Sequence, residues 1–213
     1  MADEFSELRI DYDSEGLDVG TVPEEPRDLL RAWVHESLAA GDIEPHAMTL
    51  STATPDGAPA ARILLLRGLD ERGLAFYTNQ DSRKGRELAS NPRAAATFYW
   101  PRFHRQARVE GTVAQLPAAE SDAYFASRPR DSRVGAWASP QSEPLADREE
   151  LLRRFREAEA RWGEHVPRPP HWGGYVLAPT RWEFWQGRPS RLHDRVVYTR
   201  QERGGWARTR LAP

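Results

Sequence analysis

The spacing of apolar residues changes along the chain, and each change predicts a different kind of element. Residues 1–25 are mostly polar and predict a mobile N-terminal arm, followed by a single domain over residues 26–213. Apolar residues recur at helical spacing over residues 28–40. From residue 47 onward, short apolar runs alternate with turn sequences, a pattern typical of strands joined by tight turns.

These runs predict a mainly β protein. Strands are predicted at residues 48–53, 60–67, 74–78, 94–100, 106–116, 174–177, 181–185, 191–199 and 206–211. Helices are predicted at residues 28–40, 83–90, 120–127 and 145–162. Because the first three strands are joined by short hairpin turns, we expect an antiparallel β-barrel with flanking α-helices and not a parallel nucleotide-binding sheet.

Composition excludes several classes of function. The chain of 213 residues has no cysteine, which excludes disulfides, iron–sulfur clusters and thiol nucleophiles. A net charge of -2 gives no basic field for nucleic acid. The six histidines show no metal-ligand spacing. No apolar run approaches membrane-spanning length, and the acidic N-terminus lacks a signal-peptide core, so we expect a cytoplasmic protein.

A cationic run near the C-terminus predicts a ligand site. Side chains alternate faces on a strand, so Arg191, His193 and Arg195 would share one face of the predicted strand at residues 191–199. Two permanent cations beside an imidazole are unfavourable unless something anionic or electron-rich lies against them.

Three further segments suggest phosphate binding. After Tyr77-Thr78, the helix start at Ser82-Arg83-Lys84 combines free amides, the helix dipole and two cations. A solvated basic helix start would look the same. Arg62 and Arg67 bracket an apolar strand, and these residues alone favour a buried strand whose ends reach solvent. An ideal strand would place the two arginines on opposite faces, so two separate phosphate sites would suit this geometry better than one.

The third segment contains Tyr124, Arg128 and Ser132. Tyr124 and Arg128 are four residues apart and share one helix face. Two hydroxyl groups and a guanidinium could cradle a phosphate, although a capped helix end fits equally well.

The residues of these segments and their order along the chain resemble the pyridoxine (pyridoxamine) 5'-phosphate oxidase family. The resemblance runs from about residue 8 to the C-terminus and is strongest at Glu183-Phe184-Trp185-Gln186-Gly187, residues 191–195 and residues 210–213. It implies an FMN-binding split barrel whose C-terminal strands contribute to dimerisation and the active site. The implied assembly is a homodimer with FMN at each of two subunit interfaces.

The resemblance also implies a reaction in vitamin B6 metabolism. Pyridoxine 5'-phosphate or pyridoxamine 5'-phosphate would become pyridoxal 5'-phosphate by hydride transfer from C4' to flavin N5, and O2 would be reduced to H2O2. In this reaction the cofactor carries the redox chemistry, while the protein binds and orients.

Matching the family residue by residue implies three sets of site residues. The implied FMN-binding residues are Arg62, Ile63, Leu64, Leu65, Leu66, Arg67, Tyr77, Thr78, Arg83, Lys84, Gln106, Gln141, Ser142, Trp185 and Arg195. The implied substrate-binding residues are Arg9, Tyr12, Arg67, Tyr124, Arg128, Ser132, Arg191, Leu192 and His193. Arg191 and His193 are the implied catalytic residues, and no metal is implied.

One departure from the family pattern keeps two alternatives open. Arg67 stands where the family usually has lysine. The chain could therefore be a relative that oxidises another ring, such as a secondary-metabolite intermediate. The non-enzyme alternative is a flavin- or pyridoxal-phosphate-binding carrier.

Overall fold

The computed structural model describes Tyr12 and residues 14–213. The described strands are β1 (Ala47–Ala53), β2 (Pro59–Leu65), β3 (Gly68–Asp70), β4 (Gly73–Asn79), β5 (Arg93–Trp100), β6 (Arg105–Gln115), β7 (Trp172–Gln186), β8 (Asp194–Arg200) and β9 (Trp206–Leu211). The helices are α1 (Pro26–Ala39), α2 (Arg83–Ser90), α3 (Ala118–Ser127), α4 (Arg130–Ala138) and α5 (Arg148–Trp162). Short 3-10 turns lie at Pro101–Phe103 and Pro189–Arg191.

The strands form one sheet in the order β2-β1-β5-β6-β7-β4-β3, with β8 and β9 continuing from β7. All described pairs are antiparallel. The long strand β7 pairs with β6 on one edge, while β4 and β8 share its other edge. The predicted mainly β, antiparallel barrel fold with flanking helices is confirmed.

The inner face of this sheet carries the main core. Alternate residues of β5, β6, β7 and β8 are fully buried there, among them Phe98, Val109, Phe184 and Tyr198. A second buried cluster, which includes Phe125, Val134 and Trp172, joins α3, α4 and α5 to the start of β7. Burying apolar surface on both sides of β7 fixes the helices at one end of that strand.

Several predicted boundaries are wrong, each for a local reason. The two strands predicted at residues 174–177 and 181–185 are one strand, β7, which passes a bulge opposite Glu110 and Gly111. A Cβ at Gly111 would lie 2.0 Å from the Ala178 carbonyl oxygen, so only glycine fits this close approach. Helix α4 was not predicted; it buries only Val134 and Ala138, too few positions for a periodic signal.

The strand predicted at residues 191–199 begins only at Asp194. Ser190 and Arg191 have φ angles of 58° and 63°, in the left-handed region that a strand cannot contain. The strand predicted at residues 60–67 likewise ends at Leu65.

The described part of the N-terminal arm lies against the C-terminal strands. Ser14 donates a hydrogen bond to the Gly187 carbonyl, and the Leu17 amide donates to Asp194 at 3.0 Å. Val22 is buried in the main core. Mobility of the arm stays a prediction, and Arg9 lies outside the described residues. Among the described residues, no helix is both long and apolar enough to cross a membrane.

Candidate functional site

A cavity of about 470 Å³ opens beside the start of β7. Its lining includes the predicted residues Leu64, Leu65, Arg67, Tyr77, Thr78, Tyr124, Arg128, Ser132 and Gln141. Tyr77 stacks on Tyr124 with ring centres 3.9 Å apart and on Trp172 at 5.6 Å, which builds one aromatic wall. No acidic residue is among the described residues that line the cavity.

Arg128 and Arg67 give this cavity its charge. The Arg128 guanidinium lies over the Trp172 ring at 4.8 Å, and its Nη1 is buried without a hydrogen-bond partner in the described part of the chain. Burial lowers the pKa of Arg128, and the charge of Arg67 lowers it further, yet an arginine stays protonated at neutral pH. A buried donor without a partner is costly, so Arg128 Nη1 is suited to an acceptor from a ligand in the cavity.

We call Arg67, Tyr124, Arg128 and Ser132 the cavity cluster. Their placement joins the end of β2 to α3 and α4, which are far apart in sequence.

Lys84 forms a second cationic site. Its buried ammonium donates to Thr78 Oγ1 at 3.1 Å, Ser82 Oγ at 3.2 Å and Gln141 Oε1 at 3.0 Å, all neutral acceptors. Burial, with Arg62 nearby, lowers the pKa of Lys84 to about 8. A nearby anion would stabilise the charged form and raise this pKa, so the donor set fits a phosphate group. The chain turns tightly here, since a Cβ at Gly85 would lie 1.9 Å from the Gln80 carbonyl oxygen.

Arg62 and Arg83 are held by Glu87, a residue that the sequence analysis missed. Glu87 accepts from Arg62 Nη2 at 3.2 Å and from Arg83 Nε at 2.8 Å. Burial alone would raise the pKa of Glu87, but hydrogen bonds from Thr52, Arg83 and Arg62 keep it below its usual value. The four-residue spacing from Arg83 on a helix was the available sequence signal.

The other predicted flavin-edge residues lie at the far end of β7. Gln106 pairs with Trp185, which pairs with Arg195, so the three side chains form a row on one face of the sheet. The His193 ring centre lies 4.7 Å from that of Trp185. The Tyr12 ring lies 5.7 Å from His193 and 6.0 Å from Trp185. We call Gln106, Trp185, His193 and Arg195 the Trp185 cluster.

His193 is oriented by the main chain. The Arg188 amide donates to His193 Nδ1 at 3.1 Å, so the proton of the neutral ring is on Nε2. Burial, and then the charge of Arg191, lower the pKa of His193 and favour this neutral form.

The parity argument for Arg191, His193 and Arg195 is wrong. Residues 189–191 form a 3-10 turn and not a strand, so alternation of faces does not apply to Arg191 and His193. The Arg191 and Leu192 side chains are exposed there. The two cations therefore do not bracket the imidazole along one strand face.

One chain brings the predicted residues together in two groups and not in one. The cavity cluster and Lys84 lie near the first residues of β7, whereas the Trp185 cluster lies near its last residues. A strand of 15 residues is on the order of 45 Å long. The two groups cannot contact the same small molecule within one chain.

Three further predicted cofactor residues, in addition to those of the Lys84 site and the Trp185 cluster, also lie outside the cavity lining. Ile63 is on the outer face of the sheet and 64% exposed. Leu66 packs against the main core. Ser142 is exposed with a φ of 76°. No group of three or more histidine or acidic residues in the described chain is arranged to hold a metal ion.

Comparisons with known proteins cover nearly the whole chain. The family described as pyridoxamine 5'-phosphate oxidase matches residues 34–185, and the family described as pyridoxine 5'-phosphate oxidase C-terminal dimerisation region matches residues 172–213. The pyridoxine/pyridoxamine 5'-phosphate oxidase of Bordetella petrii is 55% identical over 98% of this chain and 99% of its own length.

Solved structures show the same fold. PhzG from Burkholderia lata, in complex with tetrahydrophenazine-1-carboxylic acid, is 36% identical with a TM-score of 0.88 over 94% of this chain and 99% of its own. A pyridoxamine 5'-phosphate oxidase-related, FMN-binding protein from Nostoc punctiforme has a TM-score of 0.71 at 19% identity, over 88% of this chain and 97% of its own.

Proposed function

Because the chain belongs to the pyridoxamine 5'-phosphate oxidase family, we propose that it oxidises pyridoxine 5'-phosphate or pyridoxamine 5'-phosphate to pyridoxal 5'-phosphate with bound FMN. The observation that carries this proposal is the cavity with two arginines, no acidic lining residue among those described, and a buried Arg128 Nη1 without a partner. A phosphate supplies the missing charge and the missing acceptor.

We assign the FMN phosphate to Arg62, Arg83 and Lys84, with Gln141 and Ser142 beside it. Support comes from Lys84, whose three neutral partners leave its charge without a counterion in direct contact. Glu87 keeps Arg62 and Arg83 oriented while it cancels one of their two charges. Bound FMN would accept the hydride from C4' and pass the electrons to O2, which yields H2O2.

We assign the substrate phosphate to the cavity cluster. The Arg128 and Arg67 guanidinium groups can each present two parallel donors to a phosphate, and the Tyr124 and Ser132 hydroxyls add single donors. Burial of Arg128 against Trp172 strengthens these bonds because water is excluded. The cavity would therefore prefer a phosphorylated ring over one that bears only a single carboxylate.

We propose that a second copy of the chain completes each site. The Trp185 cluster lies too far along β7 to reach the cavity of its own chain. The match of residues 172–213 to a dimerisation family supports a homodimer in which one chain supplies the phosphate sites and its partner supplies this cluster. Light scattering should give a dimer of the FMN-loaded protein, and an active, FMN-saturated monomer would contradict the arrangement.

We propose that Arg191 and His193 act in the chemical step. His193, as oriented by the Arg188 amide, presents Nε2–H to a ligand. It can accept a proton at Nδ1 only after the hydrogen bond from the Arg188 N–H is broken. Arg191 keeps its charge and so orients the C4' substituent without acting as a base.

Oxygen uptake tests the proposed function against both alternatives. We expect purified protein to be yellow with FMN and to consume O2 with pyridoxine 5'-phosphate but not with unphosphorylated pyridoxine. Turnover of a phosphate-free ring carboxylate in place of pyridoxine 5'-phosphate would favour the secondary-metabolite alternative. Bound flavin without any turnover would favour a carrier.

A further inference from the structure

Glu183 is a buried carboxylate surrounded by arginines. It lies on β7 two residues before Trp185 and is 2% exposed. Its Oε1 accepts hydrogen bonds from Arg195 Nε at 2.9 Å and Nη2 at 2.8 Å, and its Oε2 accepts from Arg181 Nη2 at 3.0 Å. Arg108 Nη1 lies 3.6 Å from Oε2. The carboxylate is thus shared by three guanidinium groups.

Glu183 carries its charge in spite of its burial. Burial alone would raise the pKa of Glu183, but the hydrogen bond from Arg195, the charge of Arg108 and the hydrogen bond from Arg181 bring it below its usual value. Removing a buried charge whose partners remain is strongly unfavourable. Glu183 is therefore a fixed anion at the base of the Trp185 cluster.

A second glutamate nearby allows the bonds to Arg195 to be distinguished from the net charge of this network. Glu110 accepts from Arg108 at 3.1 Å and from Arg181 at 2.9 Å, so it shares two of the three arginines. Among the described residues, only Glu183 forms a salt bridge with Arg195. The two glutamates and three arginines have a net charge of +1, and neutralising either glutamate raises it equally.

Arg195 is immobilised by these contacts before any ligand binds. In addition to the two bonds to Glu183, its Nη1 donates to the Ala212 carbonyl at 3.0 Å. A long side chain that is already ordered does not lose further conformational freedom on binding. Arg195 is therefore preorganised by a residue outside the row of Gln106, Trp185 and Arg195.

We infer that Glu183 is the positioning residue of the flavin-edge contact: its two bonds to Arg195 hold that guanidinium in the orientation that receives FMN. This inference rests on the proposed function, because the family resemblance places Arg195 and Trp185 at the flavin. It adds a residue that does not itself touch the cofactor.

The test compares Glu183→Gln with the matched control Glu110→Gln in apoprotein titrated with FMN. Glutamine keeps the shape but removes the charge in both cases. We expect the FMN dissociation constant to rise about tenfold in Glu183→Gln and to stay within about twofold in Glu110→Gln. The visible absorption bands of bound FMN should shift in the first variant alone. Equal constants for Glu183→Gln and wild type would overturn the inference.

A double-mutant cycle separates positioning from general destabilisation. If Glu183 acts through Arg195, then Glu183→Gln should add no more than about twofold to the FMN dissociation constant of Arg195→Ala. If the two substitutions multiply their separate effects on the FMN dissociation constant, Glu183 does not act through Arg195, and the inference is overturned.

Arg195→Lys serves if Glu183→Gln does not fold. Lysine keeps the charge but lacks the fork that makes two bonds to Glu183, so FMN should again bind about tenfold more weakly. Wild-type affinity in Arg195→Lys would overturn the inference. Failure of the proposed function is distinguishable, because it would show in the wild-type protein, as absent FMN binding or as bound FMN without oxygen uptake, whereas the inference is judged on the difference in FMN affinity between the variants and wild type.

Discussion

The two ends of β7 use arginine in opposite ways. At the cavity cluster, Arg67 and Arg128 face a space that no described acidic residue lines, and one buried nitrogen lacks a partner. At the Trp185 cluster, Arg195 is bonded twice to a buried glutamate and once to a main-chain carbonyl. The comparison teaches that an arginine without an acidic partner can offer its whole charge to an anion, whereas an arginine bonded to a carboxylate, such as Arg195 or the Glu87-bound Arg62 and Arg83, is held in a fixed orientation.

The strongest way to break this comparison is to remove the unpaired charge. We expect Arg128→Ala to lower kcat/KM for pyridoxine 5'-phosphate about 10²-fold, or roughly 2.7 kcal/mol, mainly through KM, since charge-assisted phosphate bonds are lost. Steady-state oxygen uptake measures this.

Arg130→Ala is the matched control for that variant. Arg130 is already paired with Glu159 at 2.9 Å and does not line the cavity, so we expect kcat/KM within about twofold of wild type. An unchanged KM in Arg128→Ala would remove the cavity cluster from substrate binding.

Paired variants of His193 test orientation at the other end. Asparagine places an acceptor near Nδ1, while glutamine places an N–H donor near Nε2. If the Nε2–H group serves the substrate, His193→Asn should slow flavin reduction about 10²-fold and His193→Gln about tenfold or less, with FMN still bound.

Anaerobic stopped-flow measurement of flavin reduction isolates that step. Equal, large losses of the reduction rate in both variants would indicate that His193 accepts a proton at Nδ1 after the hydrogen bond from the Arg188 N–H is broken. Unchanged rates in both variants and in Arg191→Met would exclude these residues from the chemistry.

The pH dependence of FMN binding sharpens the comparison at Lys84. The pKa of Lys84 in the free protein is about 8, and a bound phosphate would raise it. Below pH 8 the ammonium is already charged; above it, binding must take up a proton. FMN affinity should therefore fall as the pH rises above 8, by at most about tenfold per pH unit.

Fluorescence titration of the apoprotein from pH 7 to pH 9.5 measures that decrease in affinity. Lys84→Met should bind FMN more weakly and should lose this dependence on pH. A wild-type affinity that is constant over the range would argue against Lys84 as a phosphate ligand.

Arg67→Lys has the smallest expected effect. Both side chains are cationic, so kcat/KM for pyridoxine 5'-phosphate should change by no more than about tenfold, or ~1.4 kcal/mol. A far larger gain with lysine would indicate that Arg67 is adapted to a different ring substrate. Assaying both proteins with the same phosphorylated and unphosphorylated rings decides between these outcomes.

Local patterns in the sequence determined most of the element types. Alternation of apolar residues marked most strands, and the cap residue Ser82 marked the start of α2; phosphate binding at Arg83 and Lys84 stays a prediction. These signals depend on residues only a few positions apart. The same short range explains the parity error at Arg191, because the left-handed φ angles of Ser190 and Arg191 leave no mark on residue spacing.

Tertiary structure alone decided which residues share a site. Pairing of β6 with β7 joins segments about 70 residues apart, and it brings Gln106 beside Trp185 while it carries both away from the cavity. The roles of Glu87 and Glu183 also depend on such pairing, since Glu87 meets Arg62 of β2, and Glu183 meets Arg108 of β6 and Arg195 of β8. Residues adjacent in the sequence determine local conformation, but strand register determines which charged side chains come into contact.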